Sequence, residues 1–309
     1  MSVSIVEVSP RDGLQNEAVP VHTDDKLALI DTLVAGGLRR IEATSFVNPK
    51  RVPQLADAEA VAARLPRGQV SWIGLVLNER GLDRAIAAGL DEVNVVVVAT
   101  DTFSERNQGV GTAGGITAWH RIAARAKAAG LRTTVTVAAA FGCPFSGEVP
   151  VNRVREVIAG CLQAQPDELA LADTIGVGVP AQVRALAAVA AAEAPGVPLR
   201  WHFHNTRNTG YANAITAADL AGDAPVALDS SAGGIGGCPF APDATGNIAT
   251  EDLVYLLGRS GYDTGVDVAP LLPLAARLGK LLGHEVPGQL ARAGMFPAGT
   301  GTAPALASG

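Results

Sequence analysis

The chain has few cysteines and no segment typical of export or membrane insertion. The chain has three cysteines, Cys143, Cys161 and Cys238. An odd number at wide spacing does not fit a disulfide framework and favours the reducing cytoplasm. The amino-terminal residues lack a basic stretch followed by an apolar run, so we predict neither a secretory signal nor a transit peptide. No apolar stretch approaches the roughly 20 residues of a membrane span. We therefore expect no membrane partner.

The chain also lacks an excess of basic residues. It has 30 acidic and 24 basic side chains, giving a formal net charge of -6, so nucleic acid is not expected as a partner. Hydrophobic residues make up 48% of the 309 residues, which is enough for a substantial interior. A single domain of barrel size needs about 250 residues, and the chain is long enough for one.

The hydrophobic period changes repeatedly along the chain. Short β-branched runs alternate with longer alanine-rich segments of helical spacing, which is typical of a parallel sheet with crossover helices. We predict strands near residues 3–8, 39–44, 70–76, 91–98, 132–139, 167–172, 198–203 and 225–229. We predict helices near residues 24–36, 53–64, 79–88, 116–129, 150–163, 180–193, 208–221 and 248–259. Eight strands favour an α/β fold of the (β/α)8 TIM-barrel type.

An open, doubly wound sheet is the main alternative to a barrel. Such a sheet normally carries a glycine-rich phosphate loop after its first strand, and Pro10-Arg11-Asp12-Gly13 stands there instead. We expect one domain over residues 1–290, including an additional carboxyl-terminal helix near 267–283. Residues 291–309, rich in glycine, alanine and proline, are expected to be a mobile tail.

Polar residues cluster at the predicted carboxyl ends of the strands, which in a barrel converge on one site. These residues are Arg11, Asp12, Glu42, Asp173, Thr174, His202 and His204. Several have a structural alternative. Asp12 could cap a turn, Arg11 could pair with Glu42, and Asp173 could cap the following helix.

His202 and His204 are the most specific of these signals. Residues two apart on a strand project from the same face, so the two imidazoles should point together into the mouth of the barrel. With Asp12 they would supply two nitrogens and one carboxylate and leave positions open for substrate and water. This mixed set of ligands favours magnesium or manganese, with zinc as an alternative.

Two further candidates follow the last predicted strand. Cys238 lies in a loop with four glycines, and it is either an incidental thiol in a flexible turn or a proton-transfer group. Asn247 precedes the last barrel helix, and it either caps that helix or places a side-chain carbonyl near the metal. Among the other cysteines, Cys161 lies between apolar helical residues and is expected to pack, while Cys143 is ambiguous.

Five segments together resemble the hydroxymethylglutaryl-CoA lyase family of metal-dependent acyl-CoA lyases. They are VEVSPRDGLQNE at 6–17, EATSFVNPK at 42–50, DTIG at 173–176, HFHNT at 202–206, and the stretch DSSAGGIGGCPFAPDATGNIATEDLVY at 229–255. The resemblance implies a (β/α)8 fold, a divalent metal cation, an acyl-CoA substrate, a homodimer and a place in leucine degradation. The implied reaction is retro-Claisen cleavage of a 3-hydroxyacyl-CoA to acetyl-CoA and a keto acid such as acetoacetate.

The same resemblance implies roles for individual residues. Asp12, His202, His204 and Asn247 match the metal positions, Arg11 the substrate carbonyl contact, Cys238 the catalytic loop cysteine, and Glu42 and Asp173 further active-site carboxylates. Asp173 or His202 is the candidate general base.

The chain departs from the family pattern at several positions. Asn205 replaces an aspartate, Arg207-Asn208-Thr209 replaces Tyr-Gly-Gln, Ala18 replaces a lysine, and Ala172 replaces a glycine. The identity of the acyl group therefore stays open. The functional alternatives are a Claisen-type acyl-CoA synthase, a 4-hydroxy-2-keto acid aldolase and a non-catalytic binding protein.

Overall fold

Eight parallel strands close into a barrel. The computed structural model describes residues 1–237 and 246–296, and within them the strands pair in sequence order, with β1 also pairing with β8. The strands are Ser4–Glu7 (β1), Arg40–Ser45 (β2), Ser71–Val76 (β3), Glu92–Val98 (β4), Arg132–Ala138 (β5), Glu168–Asp173 (β6), Leu199–Phe203 (β7) and Val226–Ser230 (β8). This architecture confirms the predicted (β/α)8 TIM barrel.

Helices lie between the strands and beyond the last one. They are Thr23–Ala35 (α1), Ala58–Ala62 (α2), Glu79–Ala87 (α3), Asp101–Gln108 (α4), Thr112–Ala128 (α5), Val151–Leu162 (α6), Pro180–Glu193 (α7), Gly210–Ala221 (α8), Thr250–Arg259 (α9), Leu271–Leu282 (α10) and Leu290–Ala293 (α11). Local chemistry sets several ends: the Asn78 side chain accepts from Gly81 N–H to begin α3, and Gly109 ends α4 in the left-handed conformation. Within residues 1–237 and 246–296, no helix is long and apolar enough to cross a membrane.

Apolar side chains pack mainly between the sheet and the helices, in one continuous buried cluster. A second, small cluster of Val6, Val8, Ile73 and Ala227 lies apart from it. Several other side chains that alternate with outward-facing residues of the strands are polar and buried, including Glu42, Asn94, Glu168 and Arg200. Polar groups therefore fill much of the barrel, and they must satisfy one another.

A network of charges connects the amino-terminal ends of three strands. Arg40, the first residue of β2, donates to Glu92 at distances of 3.1 and 2.7 Å and to Glu168 at 2.9 Å through both of its terminal nitrogens. Glu92 begins β4 and Glu168 begins β6, so one guanidinium joins alternate strands. We call Arg40, Glu92 and Glu168 the barrel floor.

The helices differ from expectation in three places. Residues 53–64 form a 3-10 turn at Pro53–Leu55 and then the short α2, rather than one helix. Helix α4 was not predicted from the sequence. At the carboxyl terminus, α11 occupies the beginning of the expected tail; Arg292 there bonds to Glu285 and to the carbonyl of Val286, while residues 297–309 lie outside the described part.

Candidate active site at the carboxyl ends of the strands

A single π-helical turn, Ser9–Gly13, carries the first two site residues out of β1. The backbone N–H groups of Arg11, Asp12 and Gly13 all donate to the carbonyl of Val8, at 2.8 to 3.1 Å. A side chain at Gly13 would lie 2.7 Å from Ser231 Oγ, so only glycine lets the turn pack this closely against the segment after β8. The turn holds Arg11 and Asp12 at the mouth of the barrel.

Asp12, His202 and His204 come together there, as the spacing of the histidines predicts. One potential ligand atom from each residue lies within 4.8 Å of the others. The two imidazole ring centres are 5.0 Å apart, because both side chains leave β7 on the same face. The group has the donor types and the compactness that a divalent cation needs.

Two unpartnered polar atoms support a metal at this position. His204 Nδ1 and Asn247 Oδ1 are buried without a hydrogen-bond partner among the described residues, which is costly unless a ligand or ion engages them. Asn247 does not cap α9, whose N-cap is Ala249. Its amide nitrogen instead donates to Asp12 Oδ2 at 3.0 Å and to the Ile235 carbonyl at 3.1 Å. The residues present therefore fit a divalent ion.

The electrostatics keep these groups in the states that a metal requires. Burial alone would raise the pKa of Asp12, but the charge of Arg11 and the nearby histidines hold that pKa well below its usual value. Burial, together with the neighbouring His202, lowers the pKa of His204 to about 3. Asp12 is thus a carboxylate and His204 a neutral imidazole at neutral pH, which are the ligand forms.

A chain of buried hydrogen bonds positions Arg11. Its Nε donates to Glu42 Oε2 at 2.7 Å and its Nη1 to Asp12 Oδ1 at 2.6 Å. Glu42 in turn accepts from Asn94 Nδ2 at 3.0 Å, and Thr136 Oγ1 donates to Asn94 Oδ1 at 2.8 Å. The pairing of Arg11 with Glu42, given above as the structural alternative for Arg11, is therefore present.

A cavity of about 160 Å³ opens beside these residues. One side of the cavity is charged and includes Arg11, Asp12, His202, His204 and Asp229. The lining from β4, α4, β5 and β6 has two amides, Asn94 and Asn107, and otherwise mostly small side chains: Val96, Val98, Phe103, Thr136, Ala138 and Ala172. The arrangement suits a small molecule with polar groups at one end and a short apolar substituent.

Comparison with known proteins decides the family. A family model described as HMGL-like matches residues 2–277. The chain belongs to the HMGL-like family. It is 41% identical to the (R)-citramalyl-CoA lyase of Chloroflexus aurantiacus over 99% of both chains, and 39% identical to the hydroxymethylglutaryl-CoA lyase YngG of Bacillus subtilis over 92% of this chain and 95% of that one.

Solved structures agree with this assignment. An HMG-CoA lyase from Acinetobacter baumannii, determined in complex with coenzyme A and 3-methylmalate, superimposes with a TM-score of 0.90. It is 38% identical, and the match covers 98% of each chain. As a member of the HMGL-like family, the chain is a carbon–carbon lyase.

Two predicted active-site carboxylates of this HMGL-like chain do not line the cavity. Glu42 is fully buried behind Arg11, and its contacts favour an orienting role. Asp173 accepts from the backbone N–H groups of Val177 and Gly178, both at 2.9 Å, in the loop before α7. These bonds favour a structural role for Asp173. The carboxylate holds the loop before α7, however, and does not cap the helix itself.

The cysteines have different surroundings. Cys238 lies outside the described residues, so its role as a proton-transfer group stays a prediction. Cys161 is buried, and burial raises the pKa of its thiol to about 12, as expected for a packing residue. Cys143 is also buried and accepts from Thr100 Oγ1 at 3.1 Å.

Sequence reasoning missed two residues that support the site. Asp229, at the end of β8, lines the cavity and bonds to His202 Nδ1 at 3.1 Å. Arg200, two residues before His202, bonds to Asp229. The strand-end rule that selected Asp12 applies equally to Asp229, and the two-residue spacing that joined the histidines extends back to Arg200.

The departures from the family pattern near His204 lie in the loop between β7 and α8. Asn205 Oδ1 accepts from the N–H of Gly210 at 3.1 Å. Arg207 Nη1 donates to the carbonyls of Ile175 and Gly176, at 3.1 and 3.0 Å, and so joins this loop to the one after β6. Neither Asn205 nor Arg207 lines the cavity beside Asp12.

Proposed function

We propose that the protein catalyses the metal-dependent retro-Claisen cleavage of 3-hydroxy-3-methylglutaryl-CoA, or a related 3-hydroxyacyl-CoA, to acetyl-CoA and a keto acid. The observation that carries the proposal is the cluster of Asp12, His202 and His204 beside Arg11 at a cavity on the carboxyl face of the barrel. The relatives reported above are named as lyases of CoA esters, and these names support the same class of substrate.

Asp12, His202, His204 and the side-chain carbonyl of Asn247 would hold the ion, with Mg²⁺ or Mn²⁺ favoured by the mixture of oxygen and nitrogen ligands. A bound divalent cation supplies Lewis acidity, which lowers the pKa of a hydroxyl group next to it. The four residues also fix the end of the cavity at which the 3-hydroxyl and a carboxylate of the substrate would lie.

Arg11 is assigned to the thioester carbonyl. Its guanidinium lines the cavity and is held by Glu42 and Asp12, so its direction is set before substrate arrives. When the bond between carbons 2 and 3 breaks, the electron pair moves onto the acetyl-CoA fragment as an enolate. A positioned donor at that oxygen stabilises the enolate, an effect worth about 3 kcal/mol.

Two proton transfers complete the reaction. One removes the proton of the 3-hydroxyl; of the two candidate bases, His202 lines the cavity and Asp173 does not. Because Asp229 engages Nδ1 of His202 and we assign Nε2 to the ion, His202 has no nitrogen left to accept this proton while the ion is bound, and we assign the transfer to no residue. The other transfer places a proton on the acetyl-CoA enolate, and the resemblance assigns it to Cys238.

A second candidate substrate is citramalyl-CoA. A relative that covers 99% of this chain is named for that substrate, and the cavity wall of small side chains accommodates a methyl substituent. Cleavage of citramalyl-CoA between carbons 2 and 3 would release acetyl-CoA and pyruvate, whereas 3-hydroxy-3-methylglutaryl-CoA would release acetyl-CoA and acetoacetate. The keto acid therefore reports which ester is used.

The first experiment incubates protein reconstituted with Mn²⁺ or Mg²⁺ with each of the two esters and follows all products by mass spectrometry. We expect acetyl-CoA and one of the two keto acids to form, and none in a chelated sample or in Asp12→Asn. Cleavage of citramalyl-CoA alone would move the substrate within the proposed class. If neither these two nor other 3-hydroxyacyl-CoA esters are cleaved by protein that has bound metal, the proposal fails, and the synthase and aldolase alternatives gain support.

A further inference from the structure

Arg200 is a charged residue buried in the middle of a barrel strand. Only 1% of it is exposed, and it lies on β7 two residues before His202, on the same face. Its Nε donates to Asp229 Oδ1 at 2.5 Å and its Nη2 to Asp229 Oδ2 at 3.1 Å. The guanidinium therefore fixes both oxygens of one carboxylate in a two-pronged contact.

The Asp229 carboxylate in turn fixes the orientation of the His202 ring. Asp229 Oδ2 lies 3.1 Å from His202 Nδ1, and a carboxylate only accepts hydrogen bonds, so Nδ1 carries the hydrogen. Nε2 of the same ring is on the opposite side and lies 4.0 Å from Asp12 Oδ2. The contacts therefore run from Arg200 through Asp229 to His202, and they end at Nε2, the nitrogen that faces the proposed ion.

Arg200 itself does not line the cavity, whereas Asp229 and His202 do. A residue that only filled space would be better apolar, as Val6, Ile73 and Ala227 are in the small cluster nearby, because burying a charge is costly. Two donors of Arg200, Nε and Nη2, are instead used on Asp229, which is also the largest source of the charge attraction that Arg200 receives.

We propose that Arg200 is a positioning residue for metal binding: by clamping Asp229, it holds the His202 ring with Nε2 directed at Asp12. This inference rests on the metal-binding part of the proposed function. Groups that orient a ligand histidine typically contribute a factor of about 10 to 100 in metal affinity. We therefore expect Arg200→Met to weaken the binding of Mn²⁺ by about that factor.

The affinity is measured directly, by counting free Mn²⁺ with electron paramagnetic resonance in a titration of folded protein. Arg200→Lys keeps the charge but lacks the fork that reaches both oxygens, so its affinity should fall between those of wild type and Arg200→Met. Arg40→Met is the matched control. It removes the arginine of the barrel floor, which bonds to Glu92 and Glu168 rather than to Asp229, and its Mn²⁺ affinity should equal that of wild type.

A second readout follows the His202 ring without metal. Nitrogen NMR of protein labelled at histidine should show Nδ1 protonated at His202 in wild type and in Arg40→Met, and a mixture of ring forms in Arg200→Met. A role in stability alone would not alter the ring form. The resonance is assigned with His202→Gln.

Unchanged Mn²⁺ affinity in folded Arg200→Met overturns the proposal, and so does an equal loss in Arg40→Met. If Arg200→Met does not fold, Arg200→Lys decides: an affinity equal to that of wild type counts against the clamp. The measurement is also separate from catalysis. Wild-type protein that binds Mn²⁺ tightly but cleaves no ester would contradict the proposed activity and leave this inference standing, whereas wild-type protein that binds no Mn²⁺ would remove both.

Discussion

Arg11 has the most demanding position of any single residue at the site. Its guanidinium contacts Glu42 and Asp12 and still faces the cavity. Burial would lower the pKa of Arg11, but the two carboxylates more than compensate and raise it. A lysine at this position would keep the charge, yet it could not bond to Glu42 and Asp12 in a fixed plane and also present a donor to the thioester.

Arg11→Lys should therefore lower kcat by about 100-fold or more, with a smaller change in KM, because the donor is needed most when the enolate forms. Steady-state kinetics at saturating metal, with whichever of the two candidate esters is cleaved, measures both constants. Glu42→Gln keeps the shape of the neighbour but weakens its hold on Arg11, and its kcat should lie between those of wild type and Arg11→Lys. A kcat for Arg11→Lys within twofold of wild type would contradict the role assigned to Arg11.

Residues at strand ends could be selected from the sequence because the topology of a barrel brings them together. That reasoning selected Asp12, His202 and His204. It could not show that Glu42 lies behind Arg11, because the direction of a side chain depends on the exact register and on the turn that follows β1. Arg200 was missed because a charged residue inside a strand is normally taken to face solvent, and only the closed barrel makes that face interior.

At the level of elements, the beginning of α9 shows how a helix can depend on pH. Glu251, in the first turn, accepts from the N–H of Gly233 at 3.0 Å and is fully buried. The segment at Gly288 covers it so closely that a side chain there would lie 2.4 Å from Glu251 Oε1. Burial raises the pKa of Glu251 to about 7 from an ordinary value of 4.5.

This pKa shift makes the fold more stable at low pH. The folded protein keeps the proton of Glu251 in a range where the unfolded chain has lost it. This contribution to the free energy of unfolding is about 3 kcal/mol. It is fully present below pH 4.5 and is lost as pH rises through about 7. Glu251→Gln should remove this dependence, so that above pH 7 the variant unfolds at a higher urea concentration than wild type.

Urea unfolding of both proteins at several pH values from 5 to 8 tests the expectation. Glu59→Gln is the control of opposite sign: a hydrogen bond from Arg84 lowers the pKa of Glu59, so its contribution is present above the ordinary pKa and lost as pH falls. The difference between wild type and Glu59→Gln should therefore be constant from pH 5 to 8 and shrink only at more acid pH. An identical pH dependence in wild type and Glu251→Gln between pH 5 and 8 would show that the carboxylate is already ionised.

All eight strands could be predicted from sequence because each is a short buried run between helical segments, and the bounds agree closely. Helix α4 could not, because its residues DTFSERNQ bury only Phe103 and Ser104 and show no apolar period. The break between Pro53 and α2 has a related cause: proline fixes the first turn, and the few apolar residues that follow are compatible with one longer helix. Such differences arise from packing, which the pattern does not contain.

For the molecule as a whole, the barrel floor connects strands that are far apart in the chain. Arg40 pairs with Glu92 and Glu168, which are 52 and 128 residues away, and the two carboxylates are almost fully buried. The floor lies at the amino-terminal ends of the strands, opposite the cavity. It should therefore affect the stability of the barrel and leave catalysis unchanged.

Arg40→Met should lower the free energy of unfolding by about 2 to 3 kcal/mol, because it removes charged hydrogen bonds to two buried carboxylates, which keep Arg132 as a partner. Chemical unfolding measures the loss, and kcat should stay within twofold of wild type. Arg84→Met removes an arginine from the more exposed pair with Glu59 and should cost less than about 1 kcal/mol. Equal losses in the two variants would mean that the floor contributes no more than a surface pair.

Closure of the barrel between β1 and β8 also bears on how the protein is made. Asp12 and Asn247 are 235 residues apart, yet their side chains are bonded at 3.0 Å. During synthesis Asp12 emerges from the ribosome long before Asn247. The growing chain therefore has an incomplete set of metal ligands until the residues after its last strand have emerged. Metal capture would then mark the end of synthesis, and truncated or stalled chains would leave the cell's supply of divalent ions untouched.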